Sequence, residues 1–153
     1  RSQTKCAAWR EENPAFAVMF DFYEKLAAML SAKCKWHEAA GNIVRSKDRA
    51  AAKELAMTAP AIITSMNELR QSWRNMWYET RKIAGFEVVD VRLGGVTQRM
   101  SSAGRRMKMF ADGAVDDIEE LSAAKLPYAT FKDGTIGRVD IWKDISTSAN
   151  LII

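Results

Sequence analysis

The chain has few of the residues that punctuate, cross-link or coordinate. Three prolines and eight glycines interrupt 153 residues, too few turn signals for a fold of many short strands. Two cysteines, Cys6 and Cys34, cannot make a disulfide framework, and a reduced chain is expected. With His37 as the single histidine, no zinc set of the usual His/Cys composition can be assembled, so no metal and no cofactor is expected. No apolar run approaches the ~20 residues of a membrane-spanning helix. The first residues, Arg1-Ser2-Gln3-Thr4-Lys5, include no initiator Met and lead into no apolar signal segment. The expectation is a cytoplasmic chain that is a piece of something longer.

What is present is material for a core. Hydrophobic residues make up 48% and charged residues 27%, ordinary values for a globular domain. A chain of this length buries roughly 68–70% of its unfolded surface, so one domain without staples is expected. The net charge of +4 is only mildly basic. A nucleic-acid binder would concentrate that charge on one face.

The apolar spacing is helical. Asn13-Pro14 marks a helix start, with Asn as cap and Pro at the first helical position. From there Phe16, Phe20, Tyr23, Ala27, Leu30, Cys34, His37, Gly41 and Val44 alternate by four and three, one stripe of a helix over 14–45. Ser46 is expected to cap a second helix, 47–57. Thr58, ahead of Pro60, is expected to cap a third, 59–82, with Ile62, Met66, Leu69, Trp73 and Met76 on one face. A fourth, 86–111, carries apolar residues at every a and d position: Phe86, Val89, Leu93, Val96, Met100, Ala103, Met107 and Phe110. Asp112-Gly113 ends it. A short acidic helix follows over 115–125, stopped by Pro127, and 128–153 reads as an irregular tail. The fold class is mostly α: a bundle of three long and two shorter helices, with the long neighbours near antiparallel.

The chemistry-bearing residues read as structural. Asp116-Asp117 and Glu119-Glu120 are adjacent carboxylates at a helix start, where the macrodipole favours them, not a pair facing one bond. Cys6 and Cys34 have no partner that would make a nucleophile. Arg92, Arg99 and Arg106 repeat every seven residues beside the apolar seam. They are expected to pair with carboxylates such as Asp21, Glu24, Glu68 and Glu79, with Arg92 the most buried of the three. The back of the same helix, with Val88, Val91, Gly94 and Gly95, is too apolar for water. Burial on two faces is therefore expected, with the paired glycines against another backbone or domain.

Trp73-Arg74-Asn75-Met76-Trp77-Tyr78, then Gly85-Phe86-Glu87-Val88-Val89-Asp90-Val91-Arg92-Leu93-Gly94-Gly95-Val96 and Arg99, resembles the C-terminal helical domain of a bacterial subgroup of family 20 glycoside hydrolases, the β-N-acetylhexosaminidases. The family pattern is W-R-x-L-W, then G-F-E-V-x-D-x-R-L-G-G-L-x-x-R. The family tends to have Asn-Lys-Pro-Phe before the second motif, where this chain has Arg81-Lys82-Ile83-Ala84. The resemblance implies a parent hydrolase whose (β/α)8 barrel removes terminal N-acetylhexosamine, using the substrate's acetamido group as nucleophile and an Asp-Glu pair on the barrel.

Residues 1–153 would then be a single accessory domain, a fragment of that larger enzyme, with no catalytic residue of its own. It would pack on the barrel of the same chain, aid homodimerisation, or shape the active-site rim, for which Trp36, His37 and Tyr78 are the candidates. The alternative is a free-standing bundle that binds a protein or nucleic acid through the arginine stripe. Nucleic acid is the weaker of these, because the stripe lacks interleaved exposed aromatics.

Overall fold

The computed structural model describes residues 2–122, which form helices joined by short turns. The tail expected over 128–153 lies outside the described residues. The helices are α1 (Ser2–Glu12), α2 (Ala17–Ser46), α3 (Arg49–Thr80), α4 (Phe86–Ala111) and the single turn α5 (Glu119–Ser122). A 3-10 turn, Pro14–Phe16, joins α1 to α2. The mostly α class holds, and α4 has the bounds that its heptad pattern predicts.

Three boundaries differ from the spacing argument. Helix α1 was not foreseen, and Asn13 serves it: the side-chain amide donates back to the Trp9 carbonyl at 3.1 Å instead of capping the next helix. Ser46 ends α2, its hydroxyl donating to the Ile43 carbonyl. Lys47 follows in the left-handed region at φ 57°. Asp48 caps α3, its carboxylate accepting from the Ala51 N–H at 3.0 Å.

The largest difference is at Pro60. The helices expected over 47–57 and 59–82 are one continuous helix, α3. A proline inside a helix costs about 3 kcal/mol or more through a lost hydrogen bond and a ring clash. Tertiary burial outweighs it here. Ala52, Leu55, Ala59, Ile62, Met66 and Leu69 keep alternating three-four spacing straight across Pro60, and all but Leu55 are buried. Thr58 does not cap; its hydroxyl donates to the Leu55 carbonyl within the helix. The short acidic helix is also briefer than expected: among the described residues only Glu119–Ser122 is helical.

Each long helix packs on its neighbour in sequence: α1 on α2, α2 on α3, α3 on α4. Helix α5 returns to α2. The core joins Phe22, Met29, Trp36 and Val44 of α2 to the α3 stripe and to Met100, Met107 and Phe110 of α4. Ion pairs clip the edges. Arg10 of α1 reaches Asp21 at 3.0 Å and Glu24 at 3.1 Å, and the Ser72 hydroxyl of α3 donates to Asp21. At the other end Arg49 donates to the Phe110 and Val115 carbonyls, and Lys47 Nζ lies 3.1 Å from Asp117 Oδ1. The Asp117 carboxyl sits below its usual value because the Ser122 hydroxyl and then Lys47 donate to it.

The buried stripe of α2 is not the expected one. Tyr23, Leu30, Cys34 and His37 face outward, with Tyr23 48% and Leu30 44% exposed, while Trp36 is buried. The helix is apolar on two sides, and spacing alone does not say which side meets α3.

Close approach occurs at a different glycine from the pair singled out by sequence. A Cβ at Gly104 would lie 2.7 Å from the Ala59 Cβ, whereas Gly94 and Gly95 have open space beside them. Helix α4 therefore meets α3 most closely one position before Pro60. Gly104→Ala should lower the melting midpoint, by an overpacking cost of about 1–3 kcal/mol. Gly95→Ala, with no contact to break, should leave it unchanged or raise it by up to about 1 kcal/mol of helix propensity. Thermal melts of the two variants check both signs.

Candidate functional site

The motif residues meet at the corner where α3 turns into α4. Trp77 is its centre. Its indole N–H donates to the Lys82 carbonyl at 2.8 Å, which closes the turn between α3 and α4. Its ring stands edge-on to Phe86, centroids 5.9 Å apart, and the Arg81 guanidinium stacks 4.8 Å from its centroid. Gly85 passes beneath with φ 103°, and a Cβ there would lie 3.3 Å from the Trp77 ring. Both the backbone region and the space call for glycine. Glu87 Oε2 accepts the Gly85 N–H at 2.7 Å, satisfying a donor at the start of α4.

Phe86 is buried at 3% exposure, edge-on to Tyr78 and under the Arg74 guanidinium. Asp90, one turn on, receives Arg70 Nε at 2.7 Å and lies 3.8 Å from Arg74 Nη2. The hydrogen bond from Arg70, with the charges of Arg70 and Arg74, holds the Asp90 carboxyl below its usual value against a smaller opposing effect of burial. Trp73 faces the other way and packs on Phe22 of α2 at 5.2 Å. Trp73, Arg74, Trp77, Gly85, Phe86, Glu87 and Asp90 thus build a brace that fixes one helix hairpin and ties it to α2. Arg70 and Arg81 complete the brace, although neither was singled out by sequence. The signal available for Arg70 was its place one helical turn before Arg74, on the same face.

The second half of the motif does not join the brace. Val91, Gly94 and Gly95 lie on the side of α4 opposite Met100 and Met107 and are exposed; Leu93 is half-buried and Arg99 exposed. The expected order of burial along the arginine stripe needs correction. Arg92 is exposed and Arg106 half-buried, the reverse of the expected order. Of the carboxylates proposed as partners, Asp21 and Glu24 hold Arg10, and Glu68 faces Lys25 at 3.6 Å. The apolar neighbours of Arg92 that suggested burial include Val91, itself 43% exposed.

Trp36, His37 and Tyr78 are not brought together. Trp36 is in the core, its indole N–H donating to the Leu55 carbonyl at 3.2 Å. His37 points outward beside it, and Tyr78 is at the corner. Leu55 and Tyr78 lie 23 positions apart on α3, about 34 Å along a helix at 1.5 Å per residue.

Two shallow apolar hollows open on the described surface. One lies between α2 and α3, lined by Trp36, Leu55 and Ile62 among others. The other lies beside α1, lined by Trp9, Phe16, Met19 and Phe20 among others. Neither gathers the convergent polar groups of a reaction site. Among the described residues no group of three His, Cys, Asp or Glu is placed to hold a metal ion, and no helix is long and apolar enough to cross a membrane.

The family model described as the Glycoside Hydrolase 20C C-terminal domain matches residues 1–140. The chain belongs to this family. No curated protein matches it. As a Glycoside Hydrolase 20C C-terminal domain it implies a catalytic domain in the same parent chain. Within this family member the motif has two physical parts: a brace inside the α3–α4 corner, and an outer face of α4 that the core of the described residues leaves exposed.

The brace makes a pH-dependent prediction. Because the Asp90 carboxyl is lowered in the folded state, its stabilising effect is complete above the ordinary carboxylate value of about 3.9 and is lost as pH falls through the lowered value. Asp90 and Arg70 are both about one-third exposed or more, so Asp90→Asn should cost no more than about 1 kcal/mol at neutral pH. The gap between variant and wild-type melting midpoints should narrow as pH falls below the ordinary carboxylate value of about 3.9 and close below the lowered one. A gap that persists unchanged there would mean that Asp90 acts by shape and not by charge.

Proposed function

We propose that this chain is a non-catalytic accessory domain of a β-N-acetylhexosaminidase-like glycoside hydrolase, packing on the catalytic (β/α)8 barrel of its parent through the outer side of α4 and the α3–α4 corner. The observation that carries the reading is the uncovered half of the motif. Val91 is 43%, Tyr78 47% and Ile83 65% exposed, and Gly94 and Gly95 have nothing within 4 Å of where a side chain would start. Small residues on an exposed apolar helix face let another backbone approach closely. Clustered apolar exposure of this kind marks an interaction surface. The brace behind it holds that surface rigid.

The parent's chemistry belongs to the barrel. Eight βα units take about 250 residues, which this helical domain does not supply. The described carboxylates Asp21, Glu24, Asp90 and Asp117 are committed to ion pairs that hold helices together. Homodimerisation and a contribution to the active-site rim are further expectations of the same reading, with Tyr78 the best placed of the rim candidates because it is exposed beside the proposed interface.

Two measurements test it. The isolated chain should give no turnover of a chromogenic N-acetylglucosaminide, and clear turnover would overturn the accessory role. Gly95→Leu should leave the melting midpoint of the isolated chain unchanged or raise it slightly through better helix propensity. In the parent enzyme it should destabilise the molecule by about 1–3 kcal/mol through overpacking at the interface. Equal tolerance in both contexts would place the barrel elsewhere.

A further inference from the structure

The outward stripe of α2 is a second face that the described residues leave open, separate from the side of α4 just discussed. Tyr23, Ala27, Leu30, Cys34, His37 and Gly41 follow one another at three-four spacing. Helix α1 is held on another side of α2 by Arg10 bonding Asp21 and Glu24, and α3 is held on a third by Phe22, Met29 and Trp36. The stripe is closed at one end only. Val44, its last residue, is 1% exposed, while His37, Cys34, Leu30 and Tyr23 are open. At the closed end Lys47 holds Asp116 and Asp117, Ile118 is buried in the shared core, and α5 packs on α2. The chain therefore leaves Ser122 beside the last turns of α2, where the open part of the stripe begins.

We propose that the segment 123–153 of this same chain covers the stripe. Its sequence contains Leu126, Tyr128, Phe131, Ile141, Trp142, Leu151, Ile152 and Ile153, enough apolar side chains to line an apolar helix face of this length. Tyr23 to His37 spans about 21 Å of helix at 1.5 Å per residue. An extended chain covers that in about seven residues at ~3.3 Å each, so the segment reaches the far end with length to spare. Its charges are nearly balanced, with Lys125, Lys132, Arg138 and Lys143 against Asp133, Asp140 and Asp144, so it brings little net charge to an apolar surface. The occupant is thus part of this chain, and the proposal does not depend on where the catalytic barrel docks.

Cys34 is a native reporter at the middle of the stripe, and buried Cys6 is an internal reference. The experiment is iodoacetamide labelling of residues 1–153 at low protein concentration, followed by peptide mass at Cys34 and compared with the same chain in urea. A covered thiol reacts only through local opening, so labelling should be slowed at least about tenfold. Replacing Leu126, Phe131, Ile141 and Trp142 together by Ser should restore the unfolded-chain rate while far-ultraviolet circular dichroism and the protection of Cys6 stay unchanged.

The proposal is overturned by labelling in the folded chain as fast as in urea. It is also overturned by protection that survives the four replacements. Protection that grows with protein concentration would assign the stripe to a second copy. Protection that appears only in the parent enzyme would assign it to the catalytic domain.

Discussion

The described helices are held together through α3. Helices α2 and α4 pack on two sides of it, and α1 and α5 join through α2. The contact that sets this spacing is Gly104 against Ala59, beside Pro60. A proline in a helix interior removes one backbone hydrogen bond and crowds the preceding turn. The helix nevertheless stays continuous because Ala52, Ala59, Ile62, Met66 and Leu69 all lose water along one stripe. Breaking α3 at Pro60 would uncouple the half that holds Trp36 from the half that holds Phe86. Small residues at the crossing bring the two helix axes close, and the larger Met66, Met107 and Phe110 fill the space on either side.

The corner follows from the same economy of contacts. Its aromatic rings occupy three directions: Trp73 toward Phe22, Trp77 toward Phe86 and the turn carbonyl, and Phe86 beneath Arg74. Asp90 gathers Arg70 and Arg74 at a position one turn into α4. Charge pairs with this exposure contribute little stability each. Their effect is to select one relative rotation of α3 and α4. That rotation turns Met100 and Met107 inward and leaves Val91, Gly94 and Gly95 on the outside. Corner and outer face are thus a single device, because changing one re-aims the other.

Two helices, α2 and α4, carry more apolar surface than their neighbours in residues 2–122 cover. An independent helical domain would place charge there, since an amphipathic helix needs only one apolar face. Membership of the Glycoside Hydrolase 20C C-terminal domain family implies attachment to a catalytic domain of the same chain, and in the proposed reading the surplus on α4 is the surface that domain covers. The surplus on α2 lies elsewhere on the molecule and ends where α5 packs.

By itself the amino-acid sequence determined the helical class, the bounds of α4 and the resemblance to the family, because these rest on local signals. Heptad spacing, a Gly before Phe86 and Asp112-Gly113 after Phe110 each act within a few residues. It also contained the continuity of α3, in the unbroken run Ala52, Leu55, Ala59, Ile62, Met66 and Leu69, but the proline signal overrode that run in a local reading. Only the tertiary structure decided which apolar side of α2 meets α3, since Trp36 and Tyr23 lie on sides of comparable apolar character. It decided as well that Gly104, not Gly94 or Gly95, is the close contact, and that Asp21 serves Arg10 and Ser72, not the arginines of α4. Each of these depends on how helices are rotated and offset against one another. Residue order fixes the periodicity of a face, and only the partner across the interface fixes which face is buried.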